Sequence, residues 1–413
     1  MTGLRYILSI AAGLGLIGCL YFLLLVAHVP FIASVMVIVT FLSLLLRWFN
    51  KPTLGEQPFE MSRFAFAILV AGVMVLTNKA FYTGEKHGVW DAWAIWNLDA
   101  KYLCDIHHWK NMLLNTQLAH ADYPLALPSN IAFFSRLFTS SFSIVVAYAL
   151  HFLITLSIPV LIYVDTYRRS MVLAGIALLL IATNDFYLMQ GLYQLADTLL
   201  ALFFLCALVC MQHHKDDTRM LVLTGAFLGF AMWTKNEGAI LAAIFCLFYF
   251  KELFGQYRIK HTLAGFALPL LTWLLFKLVY APANDMVAGQ GQGTMAMIQD
   301  WSRYKLIWES FTTNLNQHFK LLKWVVLIYL VICAIRRRMP DKRLLMLLTC
   351  MLVYLLVYVV SPNNLEWHLF TSLSRLMHQL TPATLYVMLT ILAGDGTKTS
   401  LQARFVSVRQ RLQ

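Results

Sequence analysis

The feature that most constrains this chain is an apolar run from Tyr6 to Val29 that contains no Asp, Glu, Lys or Arg. Lipid offers no hydrogen-bond partner to the backbone, so a segment that crosses a bilayer must be a helix or a strand of a closed barrel. The run lacks the alternation of polar and apolar residues that marks a barrel strand. It therefore predicts a transmembrane helix.

Similar runs recur along the sequence, in which 60% of the residues are hydrophobic and 13% are charged. This composition excludes an ordinary soluble domain. We predict an all-α fold, a polytopic transmembrane bundle with about 12 spans and exterior interfacial helices. Residues 1–413 are predicted to form a single integral membrane domain. The predicted spans are 6–29, 31–49, 64–82, 141–164, 171–186, 196–213, 220–233, 238–251, 262–281, 322–337, 343–360 and 381–394.

The net charge of +12 is explained by topology. When the amino terminus is placed inside, most Lys and Arg residues fall on the inner segments, which is the positive-inside bias of membrane proteins. This distribution argues against a nucleic-acid partner. It predicts that both termini are cytoplasmic, with residues 395–413 as a basic cytoplasmic tail.

The first exterior loop, residues 83–138, contains an acid among tryptophans: Trp90, Asp91, Trp93 and Trp96. A carboxylate beside a bilayer is costly to desolvate, so Asp91 indicates chemistry on a membrane-borne substrate. An aromatic belt at the membrane interface is the alternative explanation for the tryptophans, but such a belt does not require an acid.

The same loop carries a second polar group, followed by an apolar stretch from residue 125 to residue 138. We expect that stretch to form an interfacial or re-entrant helix, because it is too short to cross. The polar group is either a set of side chains at the lipid face or a His/Asp metal site, although the spacing is weak evidence for a metal. Its members are His107, His108, His120 and Asp122, directly before Tyr123-Pro124-Leu125.

Charged residues adjoin apolar runs at two further places in the chain. Asp197 opens the predicted span 196–213, where it is either a helix N-cap or a functional acid. Lys235 and Glu237 lie between two short apolar runs. They form either a simple ion-paired turn or a site at which Lys235 binds phosphate as a point charge.

The last exterior segment, residues 361–380, places four polar side chains on one face if it is helical. An Arg on that face needs a counter-charge. We favour a lipid phosphate over Glu366 for that role. The four side chains are His368, Ser372, Arg375 and Gln379.

The order of these elements resembles the GT-C superfamily of membrane glycosyltransferases, which use polyprenyl-phosphate sugars. The nearest likeness is to bacterial relatives of protein O-mannosyltransferases and to lipid A aminoarabinose transferases. The resemblance covers residues 60–394, and its motifs are short, so their order carries more weight than any one of them. The matching positions are Asp91, Tyr123-Pro124-Leu125, Asp197, Lys235 and Arg375.

The chain departs from this family in lacking the soluble exterior domain that some members carry, and in having Asp-Ala-Trp where many relatives have a pair of acids. The acceptor is therefore left open. The resemblance implies no cofactor, and it leaves dependence on a divalent metal open. It also implies a bacterial inner membrane location, with the site facing the periplasm.

The mechanism that the resemblance implies is inverting transfer of a sugar from a polyprenyl-phosphate donor to a glycan or glycolipid acceptor. Asp91 would be the base and Asp197 a positioning or second acidic group. Arg375 and Lys235 would stabilise the departing phosphate. Trp93 and Trp96 would stack on sugar faces. The remaining residues expected to bind substrate are Asp122, Tyr123, His368 and Ser372.

Two rival functions remain open at the level of sequence. A transporter or flippase for lipid-linked saccharides would also suit intramembrane charges and short helices. An O-antigen-ligase type of transferase would use exterior Arg and His residues. A transporter should place its essential charges near the midplane, whereas an enzyme of this kind should gather them at one face.

Overall fold

The computed structural model describes residues 2–51, 61–114, 119–167, 169–255, 257–283 and 293–394. These residues form helices and no strand, which confirms the all-α prediction. The predicted tail, 395–413, lies outside the described residues. In chain order the helices are α1 (Thr2–Val26), α2 (Phe31–Asn50), α3 (Arg63–Thr83), α4 (Asn97–Leu103), α5 (Asn111–Leu114), α6 (Ala126–Thr139), α7 (Ile144–Tyr167), α8 (Met171–Ala182), α9 (Asp185–Leu192), α10 (Ala196–His213), α11 (Arg219–Thr234), α12 (Asn236–Phe248), α13 (Phe250–Phe254), α14 (Arg258–Leu275), α15 (Thr294–Gln299), α16 (Trp301–His318), α17 (Lys320–Ile335), α18 (Lys342–Val359) and α19 (Leu365–Ala393), with π-helical segments at Ala92–Trp96 and Phe276–Tyr280.

In this part of the chain, 8 helices are long and apolar enough to cross a membrane, namely α1, α2, α3, α7, α10, α14, α18 and α19. Two pairs, α8 with α9 and α16 with α17, bend by 64° and 108°, and they raise the count to 10 if each pair is one span. The sequence predicts about 12 spans because it also counts α11 and α12. Those helices have only 16 and 13 residues.

Helix α10 has two chemically different ends, and the rest of the bundle is arranged around them. Asp197 lies in its first turn and His213 in its last turn. At the His213 end, His213 Nε2 lies 2.5 Å from Asp165 in the last turn of α7. At the same end, Arg343 at the start of α18 donates to Gln212 over 2.6 Å. We refer to these as the Asp197 end and the His213 end.

The helices differ in how far the protein covers them. The apolar window of α10 is 89% buried, whereas that of α2 is 11% buried. Apolar side chains exposed on α2 suit contact with lipid tails, which are as apolar as the side chains themselves. Helix α10 is therefore central, and α2 is peripheral.

Glycines allow α11 and α14 to pack with their backbones close together. A Cβ atom at Gly225 would overlap the Thr262 carbonyl oxygen, and one at Gly265 would overlap the Val222 carbonyl oxygen. Gly229 is four residues after Gly225 and meets the Pro269 ring. Small residues at this spacing are the usual means of close helix contact in membranes. This packing fixes the end of α11, where Lys235 follows.

Two exterior segments differ from the sequence-based picture. Helix α6 is buried against α1, and Asn130 donates to the Leu14 carbonyl over 3.0 Å, which favours the re-entrant alternative over a helix lying at the interface. The predicted exterior segment 361–380 is helical from residue 365, and the helix continues without a break to Ala393. The predicted span 381–394 is thus the second half of α19, a helix of 29 residues.

Candidate functional site

An ionic network at the Asp197 end joins four segments that are far apart in the chain. Arg375 of α19 donates from Nη1 to Asp91 Oδ2 over 2.5 Å and from Nη2 to Asp197 Oδ2 over 3.3 Å. Lys235 Nζ lies 3.0 Å from Asp197 Oδ1. The structure thus brings together Asp91, Asp197, Lys235 and Arg375. Among the described residues, the ion pairs of Arg375 are with these two aspartates, and none is with Glu366.

Asp197 is fully buried, and its hydrogen-bonding capacity is used within the protein. Besides Lys235 and Arg375, it accepts a hydrogen bond from Gln379 Nε2 over 2.6 Å. Gln379 is in turn held by the Tyr354 hydroxyl, which donates to Gln379 Oε1 over 2.7 Å. The N-cap of α10 is Leu195, so the helix-capping alternative for Asp197 is wrong. Asp197 instead positions the two cations.

Lys235 reaches the network from the extended residue that separates α11 from α12. Its φ and ψ are −152° and 159°, and its side chain is nearly fully buried. The turn is tight, because a Cβ atom at Gly238 would overlap the carbonyl oxygen of Ala231. Lys235 Nζ also lies 3.1 Å from Glu237 Oε1. The ion pair expected within the turn is present, and it belongs to the larger network.

Asp91 is positioned by a loop that is pinned to the turn between α9 and α10. Asn97 donates to Gln194 Oε1 over 2.8 Å, and Gln194 Nε2 donates to the Lys86 carbonyl over 3.0 Å. The loop turns at Gly88, where φ is +75°, a conformation that favours glycine. These bonds hold Asp91 beside the start of α10. The carboxylate keeps 23% of its surface exposed.

The tryptophans after Asp91 have different surroundings. They lie in the π-helical segment Ala92–Trp96, a geometry that is frequent at functional sites. Trp93 is 59% exposed, whereas Trp96 is fully buried. Trp96 stacks on Tyr123 with the ring centroids 5.5 Å apart. Trp93 is therefore accessible to a ligand, whereas Trp96 is buried and packs against the Tyr123 ring.

Asp122 and Tyr123 adjoin the network from the first loop. The Asp122 carboxylate accepts from Asn236 Nδ2 over 2.8 Å and lies 3.3 Å from Lys277 Nζ. Lys235 Nζ is 5.6 Å from the centroid of the Tyr123 ring. Burial, followed by the nearby Glu237 carboxylate, raises the pKa of Tyr123 well above its usual range. The Tyr123 hydroxyl therefore stays protonated at neutral pH.

His368 and Ser372 lie on α19 before Arg375 but have their own partners. His368 Nδ1 is 2.7 Å from the Ser361 hydroxyl. The Ser372 and Tyr358 hydroxyls are 2.6 Å apart. These two residues border the network without bonding to its charges.

Sequence reasoning missed part of this arrangement. The sequence predicts only a local ion pair for Glu237, and it places Lys277 inside the span 262–281. A lone Lys near the end of an apolar run could have signalled Lys277, because an unpaired charge there requires a partner. No pattern in the sequence points to Tyr354. Its partner Gln379 lies 25 residues away on the next helix.

The His/Asp metal site does not form among the described residues, where no group of three or more His, Cys, Asp or Glu side chains could hold a metal ion. His108 Nδ1 lies 2.8 Å from Asp105 in an exposed pair. Asp122 bonds to Asn236 and Lys277, as described above.

An apolar cavity of about 210 Å³ extends along α17, α18 and α19. Its lining runs from Phe311 and Leu315 at the Asp197 end towards Leu344 near the other end. On α19 it is lined by Met377 and Leu380, within two helical turns of Arg375. At 100° per residue, these side chains lie on the face of α19 opposite Arg375, so the helix separates the cavity from the ionic network.

The fold and the network together define a polytopic helical membrane protein with a buried charge cluster at one end of the bundle. No family model, curated protein or solved structure matches the chain. Its function must therefore be argued from the geometry of the site.

Proposed function

We propose that the protein is an inverting membrane glycosyltransferase that moves a sugar from a polyprenyl-phosphate donor to a glycan or glycolipid acceptor. The observation that carries this proposal is the meeting of Asp91 with Arg375, whose positions in the chain are 284 residues apart. A partly exposed carboxylate beside a guanidinium and an ammonium group provides a base next to a phosphate-binding pair.

The proposed reaction uses the existing ion pairs. In the structure Arg375 neutralises Asp91. A donor phosphate competes for Arg375 and Lys235, and it separates Asp91 from the guanidinium. The free Asp91 carboxylate then accepts the proton of the acceptor hydroxyl. The hydroxyl oxygen attacks the anomeric carbon from the face opposite the phosphate.

The bond between the anomeric carbon and the phosphate oxygen breaks as the new bond forms, so the configuration at this carbon inverts. Polyprenyl phosphate leaves with the electron pair, and its charge is stabilised by Arg375 and Lys235. Asp197 is too enclosed to meet an acceptor, so its role is to position the two cations. Trp93 is exposed beside Asp91 and can stack on a sugar face.

The apolar cavity supports a lipid-linked donor in particular. A prenyl chain lying along Met377 and Leu380 would follow α19 away from Arg375. Apolar contact alone would hold such a chain. A soluble nucleotide sugar would have no use for this surface.

The network of Asp91, Asp197, Lys235 and Arg375 lies at the Asp197 end of the bundle. This position supports an enzyme over a saccharide transporter, whose essential charges should lie near the midplane. It does not by itself favour an O-antigen-ligase type of reaction. The histidines expected for that reaction, His368 and His378, bond to Ser361 and Thr198 rather than to the charges of the network.

The remaining expectations belong to the same proposal. We infer a GT-C-like arrangement in which α11 and α12 also cross, giving about 12 spans. The bundle would lie in a bacterial inner membrane, with the Asp197 end facing the periplasm. Both termini would be cytoplasmic. Arg5 pairs with Asp217 near the His213 end, and Tyr386 donates to Asp165 there, which supports a common side.

The test is an assay of transfer and of transport with purified protein in proteoliposomes. The donors are undecaprenyl phosphates that carry labelled hexoses or pentoses, and a bacterial glycolipid extract supplies the acceptors. We expect Asp91→Asn to lower turnover by about 100-fold or more, because it removes the base. Asp185→Asn, an exposed aspartate outside the site, is the matched control. Full turnover by Asp91→Asn would contradict the base assignment, and transport of the donor without transfer would favour the carrier.

A further inference from the structure

We propose that Glu237 binds a hydroxyl group of the transferred sugar through its Oε2 atom. This inference rests on the proposed function, and it assigns to Glu237 a role in substrate recognition. The residue touches the ligand through a hydrogen bond and takes no part in the transfer of the proton.

The two oxygens of Glu237 have different surroundings. Oε1 lies 3.1 Å from Lys235 Nζ. Oε2 is buried, and no donor among the described residues bonds to it. A buried carboxylate oxygen without a hydrogen bond costs free energy that a bound donor group would recover. Unlike Asp197, the Glu237 side chain keeps 20% of its surface exposed, so a rotation of its carboxylate would bring Oε2 to a ligand.

The ion pairs of the site also distinguish Glu237 from the other carboxylates. Asp91 has Arg375, and Asp122 has Lys277. In the part of the chain that the structure describes, Glu237 pairs with one cation, Lys235, which it shares with Asp197. Glu237 thus retains more capacity to accept a hydrogen bond than carboxylates with a full set of partners.

The position of Glu237 suits a sugar rather than a phosphate. An ionised carboxylate repels phosphate but accepts a hydrogen bond from a hydroxyl. Because Glu237 is bonded to Lys235, it lies beside the proposed phosphate position, where the sugar is attached. The Tyr123 ring stacks on Trp96 and His120, so it is used within the protein and leaves the contact with the sugar to Glu237.

The turn that carries Glu237 is built to hold it in place. Glu237 is the second residue of α12, and the next residue, Gly238, is pressed against the carbonyl of Ala231. Lys235 is fixed on the other side by Asp197. Loss of the Glu237 charge therefore leaves Lys235 with a carboxylate partner.

The experiment compares the binding of two kinds of probe to the purified full-length protein in nanodiscs. One is sugar-free undecaprenyl phosphate, and the other is the same lipid carrying a hexose or a pentose. For the sugar that the wild type binds best, we expect Glu237→Gln to weaken affinity by about 10- to 100-fold. Affinity for sugar-free undecaprenyl phosphate should stay the same or rise, because a repelling charge is removed.

Glu309→Gln is the matched control, since Glu309 is an exposed residue on α16. If Glu237→Gln fails to fold, Glu237→Asp replaces it, because the shorter side chain should cause the same selective loss. Equal losses for both probes would overturn the inference by showing that Glu237 only supports Lys235. Unchanged affinity for the sugar-bearing lipid would also overturn it. A wild-type protein that binds neither probe would refute the proposed function itself, and this inference with it.

Discussion

At the scale of single residues, the site depends on contacts that no local pattern reveals. The groups that bond to Asp197 lie 38, 178 and 182 residues away in the chain. The sequence could indicate that an acid at the start of an apolar helix is costly, but it could not name these partners. For the same reason it left helix capping and function as equal alternatives for Asp197. The structure removes the capping alternative, because the N-cap of α10 is Leu195.

Asp197→Asn should destabilise the protein by about 3 kcal/mol or more, because two buried cations then share a neutral partner. Asp185→Asn, at the exposed start of α9, should cost less than about 1 kcal/mol, since surface ion pairs contribute little. Both values can be measured by unfolding in detergent. Equal losses for the two variants would contradict the role of Asp197 in holding the network together.

Asp99 of α4 offers a prediction about pH, because burial raises its pKa to about 8. The unfolded chain releases this proton at about pH 4, so the folded state binds more protons between these values. The free energy of unfolding should therefore fall as pH rises, by up to about 1.4 kcal/mol per pH unit from this group.

Asp99→Asn removes this titration and should stabilise the protein more at about pH 8 than at about pH 5. Thermal unfolding of the variant and the wild type at both pH values checks this prediction. Asp105→Asn is the control, because Asp105 is an exposed member of a surface pair. Parallel stability profiles for wild type and Asp99→Asn would show that Asp99 is not held protonated.

At the scale of helices, the sequence predicts what apolar composition determines locally. The long runs of α1, α3 and α10 are found close to their predicted ends. The sequence predicts only the second half of helix α19 as a span, because His368, Ser372 and Arg375 make the first half too polar to be taken as one. Those polar side chains are accommodated by Ser361, Tyr358 and the aspartates, which come from other parts of the chain. Tertiary contacts therefore decided the length of this helix.

The close packing of α11 on α14 gives a prediction at this scale. Gly265→Ala should destabilise the protein by about 1–3 kcal/mol, since its Cβ atom would overlap the Val222 carbonyl. Gly175→Ala on α8 is the matched control, because the nearest atom to its Cβ is 3.6 Å away. That variant should be neutral or stabilising by up to about 1 kcal/mol. The comparison fails if both alanines have the same effect on unfolding.

At the scale of the whole molecule, the bundle separates two polar clusters. The His213 end holds pairs such as Arg5 with Asp217 and His213 with Asp165. The Asp197 end holds the network with partly exposed Asp91 and the nearby apolar cavity. The Asp197 end combines the partly exposed Asp91 side chain with two cations, Arg375 and Lys235, and the apolar cavity extends along the other face of α19. A donor with a charged junction and a long apolar chain fits this combination.

The most direct test of the account is an experimental structure of the protein with a bound undecaprenyl-phosphate sugar. We predict phosphate oxygens within hydrogen-bond distance of Arg375 and Lys235, with Asp91 released from Arg375 and facing the anomeric carbon. The prenyl chain should lie along Met377 and Leu380. A phosphate bound at the His213 end, or a donor bound while Asp91 remains paired with Arg375, would contradict the account.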